Sequence, residues 1–223
     1  EVKRGLIDHV PELAIADILG STEGGMGQSI MTKDTPASET AKFTLLPVAK
    51  VLVPDGSREV VPGSGEVGMV AQGGMVPLGY YKDPEKSAKT FKEVDGKRYA
   101  FIGDMATVEA DGTINLLGRG SNCINTGGEK VFPEEVEEAL KLHADVADAL
   151  VFGLEDERFG NRVAGVVSLE QGGSAEAEDI LEATRKLLAS YKLPKDLLVV
   201  PVVPRAPNGK ADYKTAKSMM TGD

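Results

Sequence analysis

At 223 residues, 41% hydrophobic and 27% charged, the chain carries enough apolar content for one large domain or two modest ones, which excludes disorder over its whole length. A net charge of -10 at pH 7 leaves no basic footprint, so neither a nucleic acid nor an anionic membrane surface is an expected partner. The single cysteine, Cys123, excludes an intrachain disulfide and a multi-cysteine zinc site and suits a reducing cytosol, so a cytoplasmic location is expected.

Residues 1 to about 43 hold one short apolar piece, Leu13 to Leu19, which runs into the glycine-rich turn Gly20-Ser21-Thr22-Glu23-Gly24-Gly25 and then into polar chain with few core residues. Glu1 opens this stretch with neither Met nor a boundary signal, so the start is expected to be a cut. Residues 44–117 alternate short apolar runs with turn signals. Val48 to Val53 precedes Pro54-Asp55-Gly56, Glu66 to Ala71 precedes Gly73-Gly74, and Ala106 to Glu109 and Thr113 to Leu117 flank Asp111-Gly112. Asp-Gly between alternating runs is a hairpin signal, and a small antiparallel or barrel-like sheet is expected here.

The rhythm changes near Gly118-Arg119. Pro133 opens a helix expected to reach about His143, with Val136, Ala139 and Leu140 on one face. Val146 to Gly153 and Val163 to Leu169 read as buried strands, and Ala175 to Ala189 as an amphipathic helix. Leu197 to Val203 is a further strand, broken by Pro201 and far too short to cross a membrane, so no transmembrane segment is expected. A short helix follows Gly209. The expected fold class is mixed α+β: a β-rich part, 1–118, and a compact α+β part, 119–223.

Glycine-rich clusters mark the candidate chemistry. Thr22 offers a hydroxyl for a phosphate oxygen and Glu23 a carboxylate for Mg²⁺ on a flexible turn. Ile102-Gly103-Asp104, read as the end of a strand, places an aspartate where it can accept from both hydroxyls of a ribose, and Gly118-Arg119 follows the next hairpin. In Asn125-Thr126-Gly127-Gly128-Glu129-Lys130, the paired glycines allow close backbone approach of a ligand. Pro204 to Lys210 presents a lysine on a stiff turn, able to reach a phosphoryl group as a point charge. Taken singly, each is first of all a turn or a helix cap. Cys123 reads as a small buried hydrophobe.

In this order, together with Leu78-Gly79-Tyr80-Tyr81-Lys82-Asp83-Pro84, the clusters resemble the adenylate-forming superfamily of acyl-CoA synthetases, peptide-synthetase adenylation domains and luciferases. The likeness runs from Leu19 to Lys210 and is closest to bacterial fatty-acyl or steroid-side-chain CoA ligases. It implies that residues 1–118 are the C-terminal remnant of the large adenylation domain, with a β-barrel-like subdomain, and that 119–223 are the mobile lid. Resemblance implies that Thr22 and Glu23 meet phosphate and magnesium, that Asp104 and Arg119 contact ribose, and that Leu19, Gly20 and Lys130 belong to the nucleotide site. It further implies that Lys210 stabilises charge on the α-phosphate, that Gly127 and Gly128 line the path of CoA, and that Ser121 is the hinge.

The implied substrates are a small-molecule carboxylate, ATP and CoA, with Mg²⁺ as cofactor. The chain departs from the family at Leu19, where an aromatic is usual, at Ile102 for threonine, at Ser121 for Asp or Lys, and at Asn125 for lysine. The family's Ser/Thr/Gly-rich phosphate loop is not among these residues, so the chain is expected to be inactive without the upstream part of the same enzyme. Two rival readings keep the fold: an acyl-AMP ligase that serves a carrier protein, and a non-catalytic binding module.

Overall fold

The computed structural model describes residues 2–35 and 42–222. It comprises two compact units, Glu1–Leu117 and Gly118–Asp223, each with its own sheet and core.

The first unit is built on an eight-stranded sheet. Its strands are β1 (Ile15–Ser21), β2 (Gly24–Met31), β3 (Lys42–Leu45), β4 (Ala49–Leu52), β5 (Gly68–Gln72), β6 (Phe91–Val94), β7 (Lys97–Val108) and β8 (Ile114–Arg119). Their order is β1-β2-β3-β8-β7-β5-β4, with β6 on β7. The sheet is open, with β1 and β4 at its ends, so the barrel-like closure expected for this region does not form among the described residues. Leu19, Met26, Val51, Val60, Val70 and Ile114 make its main core.

The polar chain after Gly25 is not a solvated tail. It is β2, paired with β1 and β3, and its Met26 is fully buried. Glycines there carry no side chain to show a period of two, so the strand is defined by its neighbours rather than by its own pattern. Two helices were also invisible to the apolar pattern, α1 (Val2–His9) and α2 (Pro84–Thr90). The second has a local cause: the Asp83 side chain accepts from the Lys86 N–H at 2.9 Å and Pro84 fills the first turn.

The second unit carries β9 (Ile124–Thr126), β10 (Glu129–Val131), β11 (Val146–Asp156), β12 (Gly160–Leu169) and β13 (Asp196–Val199), with helices α3 (Pro133–Leu140), α4 (Ala177–Thr184) and α5 (Tyr213–Thr221). β11 pairs antiparallel with β12, and β13 pairs parallel with it. Both faces of this sheet are covered. Val151 and Val163 pack with Val136, Leu140 and Ile180, whereas Leu150, Phe152 and Val166 pack with Ala216. Double coverage explains why these strands read as unbroken apolar runs. The helices are shorter than their apolar spacing suggests, α3 ending at Leu140 and α4 at Thr184. β13 stops at Val199, two residues before Pro201, which has no N–H for a ladder.

Candidate active-site elements

Thr22 and Glu23 are the two residues that connect β1 to β2, and Ser21 pairs with Gly24 to close the turn. The Glu23 N–H donates to Ser21 Oγ at 3.1 Å. A register shift between Leu19 and Gly20 bulges the strand just before the turn. Leu19 itself points into the core, while Thr22 is exposed. Gly24 has φ 147°, and a Cβ there would overlap the Gln72 side chain, so only glycine lets the turn settle on that amide. Gln72 is buried; its Nε2 donates to the Gly73 carbonyl at 3.0 Å and its Oε1 has no protein partner.

The Glu23 carboxylate accepts a hydrogen bond from the Tyr80 hydroxyl, 57 positions away. That bond, aided by the Ser21 hydroxyl and the Lys86 charge, outweighs burial and holds Glu23 below the ordinary carboxylate range. Its counterpart pushes the Tyr80 phenol up. The Lys86 ammonium lies 4.1 Å from the centroid of the Tyr80 ring, and the Phe91 ring 5.3 Å from it.

Asp104 is buried at 9% exposure and lies inside β7, not at a strand end as the Ile102-Gly103-Asp104 pattern suggests. Ala71 faces Phe101 but Met69 faces Met105, so β7 carries extra residues between these pairs. Gly103, with φ 94°, takes up this bulge. A mid-strand bulge re-aims a side chain as a strand end does, and it leaves no turn signature in sequence.

In the second unit Arg119 is the last residue of β8, and its N–H donates to Glu134 Oε1 at 3.3 Å. Ser121 lies in the 3₁₀ turn Gly120–Asn122. The Asn122 amide donates to the Tyr213 hydroxyl at 3.4 Å and to Glu134 Oε1 at 3.5 Å. Beneath this turn Glu137 accepts the Val151 N–H at 2.9 Å, and burial raises its carboxyl to about 7. Burial also pushes Tyr213 up to about 12, with the Glu137 and Glu134 charges adding to it. Cys123 is half-buried, and burial pushes its thiol up.

Gly127 and Gly128, with φ 59° and 92°, form the two-residue turn of the β9–β10 hairpin. The Gly127 N–H donates to the Phe159 carbonyl at 2.9 Å. Two cations lie over the Phe159 ring, Arg158 at 5.0 Å and Lys195 at 5.2 Å from its centroid. Lys130 is exposed on β10 of the same hairpin. Lys210 stands on a different loop, where the Ala206 N–H donates to the Lys210 carbonyl and the Gly209 N–H to the Ala206 carbonyl, both at 2.8 Å. Arg205 ties this loop to β11 through two bonds to Asp148, 2.8 and 2.7 Å. Asp212 closes its other side by capping α5.

The structure therefore gathers Leu19, Gly20, Thr22 and Glu23 on one hairpin, and Gly127, Gly128 and Lys130 on another. Tyr80, Gln72, Phe159 and the Arg205–Asp148 pair complete these places. Of these residues, Tyr80 and Arg205 lay in noted motifs, Gly79-Tyr80-Tyr81 and Pro204 to Lys210, whereas Gln72, Phe159 and Asp148 did not. Among the described residues no group of three or more His, Cys, Asp or Glu could hold a metal ion. One ionised carboxylate suits Mg²⁺ arriving on a nucleotide, because that ion keeps its waters and substrate phosphates and needs few protein ligands.

Residues 135–210 match the family described as AMP-binding enzyme C-terminal domain. The chain is 46% identical over 219 residues to a 3-oxocholest-4-en-26-oate–CoA ligase of Rhodococcus rhodochrous, covering 97% of this chain and 39% of that protein. It is 44% identical over 216 residues to a medium/long-chain-fatty-acid–CoA and 3-oxocholest-4-en-26-oate–CoA ligase of Mycobacterium tuberculosis, with the same two coverages, 97% and 39%. Among solved structures, the amide bond synthetase McbA from Marinactinospora thermotolerans superposes with a TM-score of 0.76 at 25% identity, over 92% of this chain and 42% of that one. ATP-bound MatB from Rhodopseudomonas palustris gives 0.74 at 27%, over 90% and 39%. The chain thus spans about 39% of the length of these curated relatives, and no helix among its described residues is long and apolar enough to cross a membrane. This chain matches the C-terminal part of acyl-CoA ligases of the adenylate-forming family, and its residues 135–210 belong to the AMP-binding enzyme C-terminal domain.

Proposed function

We propose that this chain supplies the C-terminal machinery of an AMP-forming acyl-CoA ligase, which joins a carboxylate to ATP as an acyl-adenylate, releases pyrophosphate, and then passes the acyl group to CoA. Thr22 and Glu23 meet the phosphates and their Mg²⁺, which would neutralise phosphate charge. Asp104 and Arg119 hold ribose, and Gly20 and Lys130 border the nucleotide. Lys210 stabilises the charge that develops on the α-phosphate as pyrophosphate leaves. In the second step residues 119–223 turn about Ser121, and CoA threads beside Gly127 and Gly128. The Phe159 ring with its two cations suits the aromatic and anionic end of that molecule. The related ligases are named for fatty acids and for a steroid side-chain acid, so the carboxylate we assign is borne on a long apolar body.

One observation carries this reading. Lys210 projects from a turn held on one side by the Arg205–Asp148 pair and on the other by the α5 cap, inside a unit that matches the AMP-binding C-terminal domain. A lysine held this way is preorganised for one phosphoryl group.

The test uses the complete protein. Lys210→Ala is expected to slow pyrophosphate release from ATP and fatty acid by about a hundredfold or more, while thioester formation from supplied acyl-adenylate persists. Unchanged pyrophosphate release would overturn the reading and favour a binding module. Transfer to a holo-carrier protein in place of CoA would reassign the acceptor. The present chain alone is expected to release no pyrophosphate.

A further inference from the structure

We propose that Tyr80 is the positioning residue for Glu23, fixing the orientation of the carboxylate that meets Mg²⁺ and phosphate. This rests on the role assigned to Glu23 above and gives a task to the Gly79-Tyr80-Tyr81 run, which that reading leaves without one.

Glu23 sits on a two-residue turn, where a long side chain on a hairpin tip ordinarily samples several rotamers. Here both of its ends are held. Its backbone is seated because Gly24 presses on the buried Gln72 amide. Its carboxylate is held because the Tyr80 hydroxyl donates to one oxygen. An ionised carboxylate has room for about four hydrogen bonds or ligands, so this bond orients the group without using it up.

Tyr80 is itself fixed from the opposite side. Its N–H donates to Ser87 Oγ at 2.8 Å, and that hydroxyl donates to the Asp83 carbonyl at 2.6 Å. Lys86 on the first turn of α2 covers the ring face, and Phe91 packs beside it. Tyr80 is half-buried while Met75, Leu78 and Tyr81 of the same loop stand out at 97%, 94% and 87% exposure. The loop turns this side chain inward, and its hydroxyl ends on Glu23.

A plain loop anchor would show the same bond, so the test must separate anchoring from orientation. In the complete protein, Tyr80→Phe, Glu23→Gln and the double variant would be compared by three measurements. These are pyrophosphate release as a function of Mg²⁺ at saturating ATP, Mn²⁺ binding in the presence of ATP read by electron paramagnetic resonance, and the melting temperature. Tyr80→Phe is expected to raise the metal concentration for half-maximal rate and to weaken Mn²⁺ binding about ten- to a hundredfold, as befits a hydrogen bond that orients a charged metal ligand. The double variant should be no worse than Glu23→Gln alone, and thioester formation from supplied acyl-adenylate should be unchanged in Tyr80→Phe.

If Glu23→Gln is impaired while Tyr80→Phe leaves metal dependence and Mn²⁺ binding untouched, the positioning role is refuted and the Glu23 role stands. A lowered melting temperature without any metal shift, or single-variant effects that multiply in the double, refutes it equally. If Glu23→Gln itself is unimpaired, the role assigned to Glu23 falls, and Tyr80 with it.

Discussion

Glu137 gives the second unit a pH-dependent stability with a calculable sign. Its carboxyl ordinarily titrates at 4.5 and is raised to about 7 by burial, against the pull of the Val151 N–H and the charges of Lys141 and Arg205. The folded unit therefore prefers the protonated acid. Below pH 4.5 the group is protonated both folded and unfolded, and nothing is lost. As the pH climbs, the unfolded chain ionises first, and the folded state is penalised until both are ionised above about 7. At about 1.4 kcal/mol for each tenfold change, that rise corresponds to about 3 kcal/mol.

Glu137→Gln keeps an oxygen for the Val151 N–H, which Glu137 accepts at 2.9 Å, and removes the charge. It should match the native protein near pH 4.5 and be more stable by about 3 kcal/mol at pH 8. Native-state hydrogen exchange of the β11 and β12 amides, corrected for intrinsic rates, reads this unit separately from the other. The expected result is about a hundredfold greater protection in the variant at pH 8, shrinking to none as pH falls to 4.5. A gap that is the same at both pH values, or a variant less protected at pH 8, would refute the reasoning.

Gly24→Ala forces a side chain into the Gln72 amide at φ 147°. It should cost the first unit about 1–3 kcal/mol in urea denaturation and slow pyrophosphate release by the complete protein; a neutral result would mean that the turn is not seated as described. Leu140→Ala empties a fully buried position in the core shared by α3 and the sheet. The expected loss is about 2–5 kcal/mol, seen as faster exchange across β11 and β12 with little change in β5 and β7.

Much of the architecture is local and was legible for that reason. Asp111-Gly112 marks the connection from β7 to β8 because such a turn requires a positive φ, which Gly112 supplies at 82°. Pro133 begins α3 because its fixed φ and missing N–H suit a first turn. The valine-rich runs of β11 and β12 declare strands covered on both faces, since every residue in them has a core to face. The mixed α+β class and the family likeness rest on features of this kind, each contained in a few consecutive residues.

What the chain order does not contain is which distant side chain completes each place. Glu23 meets Tyr80 across 57 positions, Arg205 meets Asp148 across another 57, and Phe159 comes under Gly127 through a backbone bond. β2 hides among glycines, and Asp104 is re-aimed within β7 by a bulge whose register belongs to β5 as much as to β7. Such contacts cost loop-closure entropy and are repaid only once the sheets assemble. Amino-acid sequence alone therefore established the family likeness and the mixed α+β class, and it marked the candidate residues. The packed sheets decided how those residues are held, because orientation is a property of neighbours and not of the residue itself.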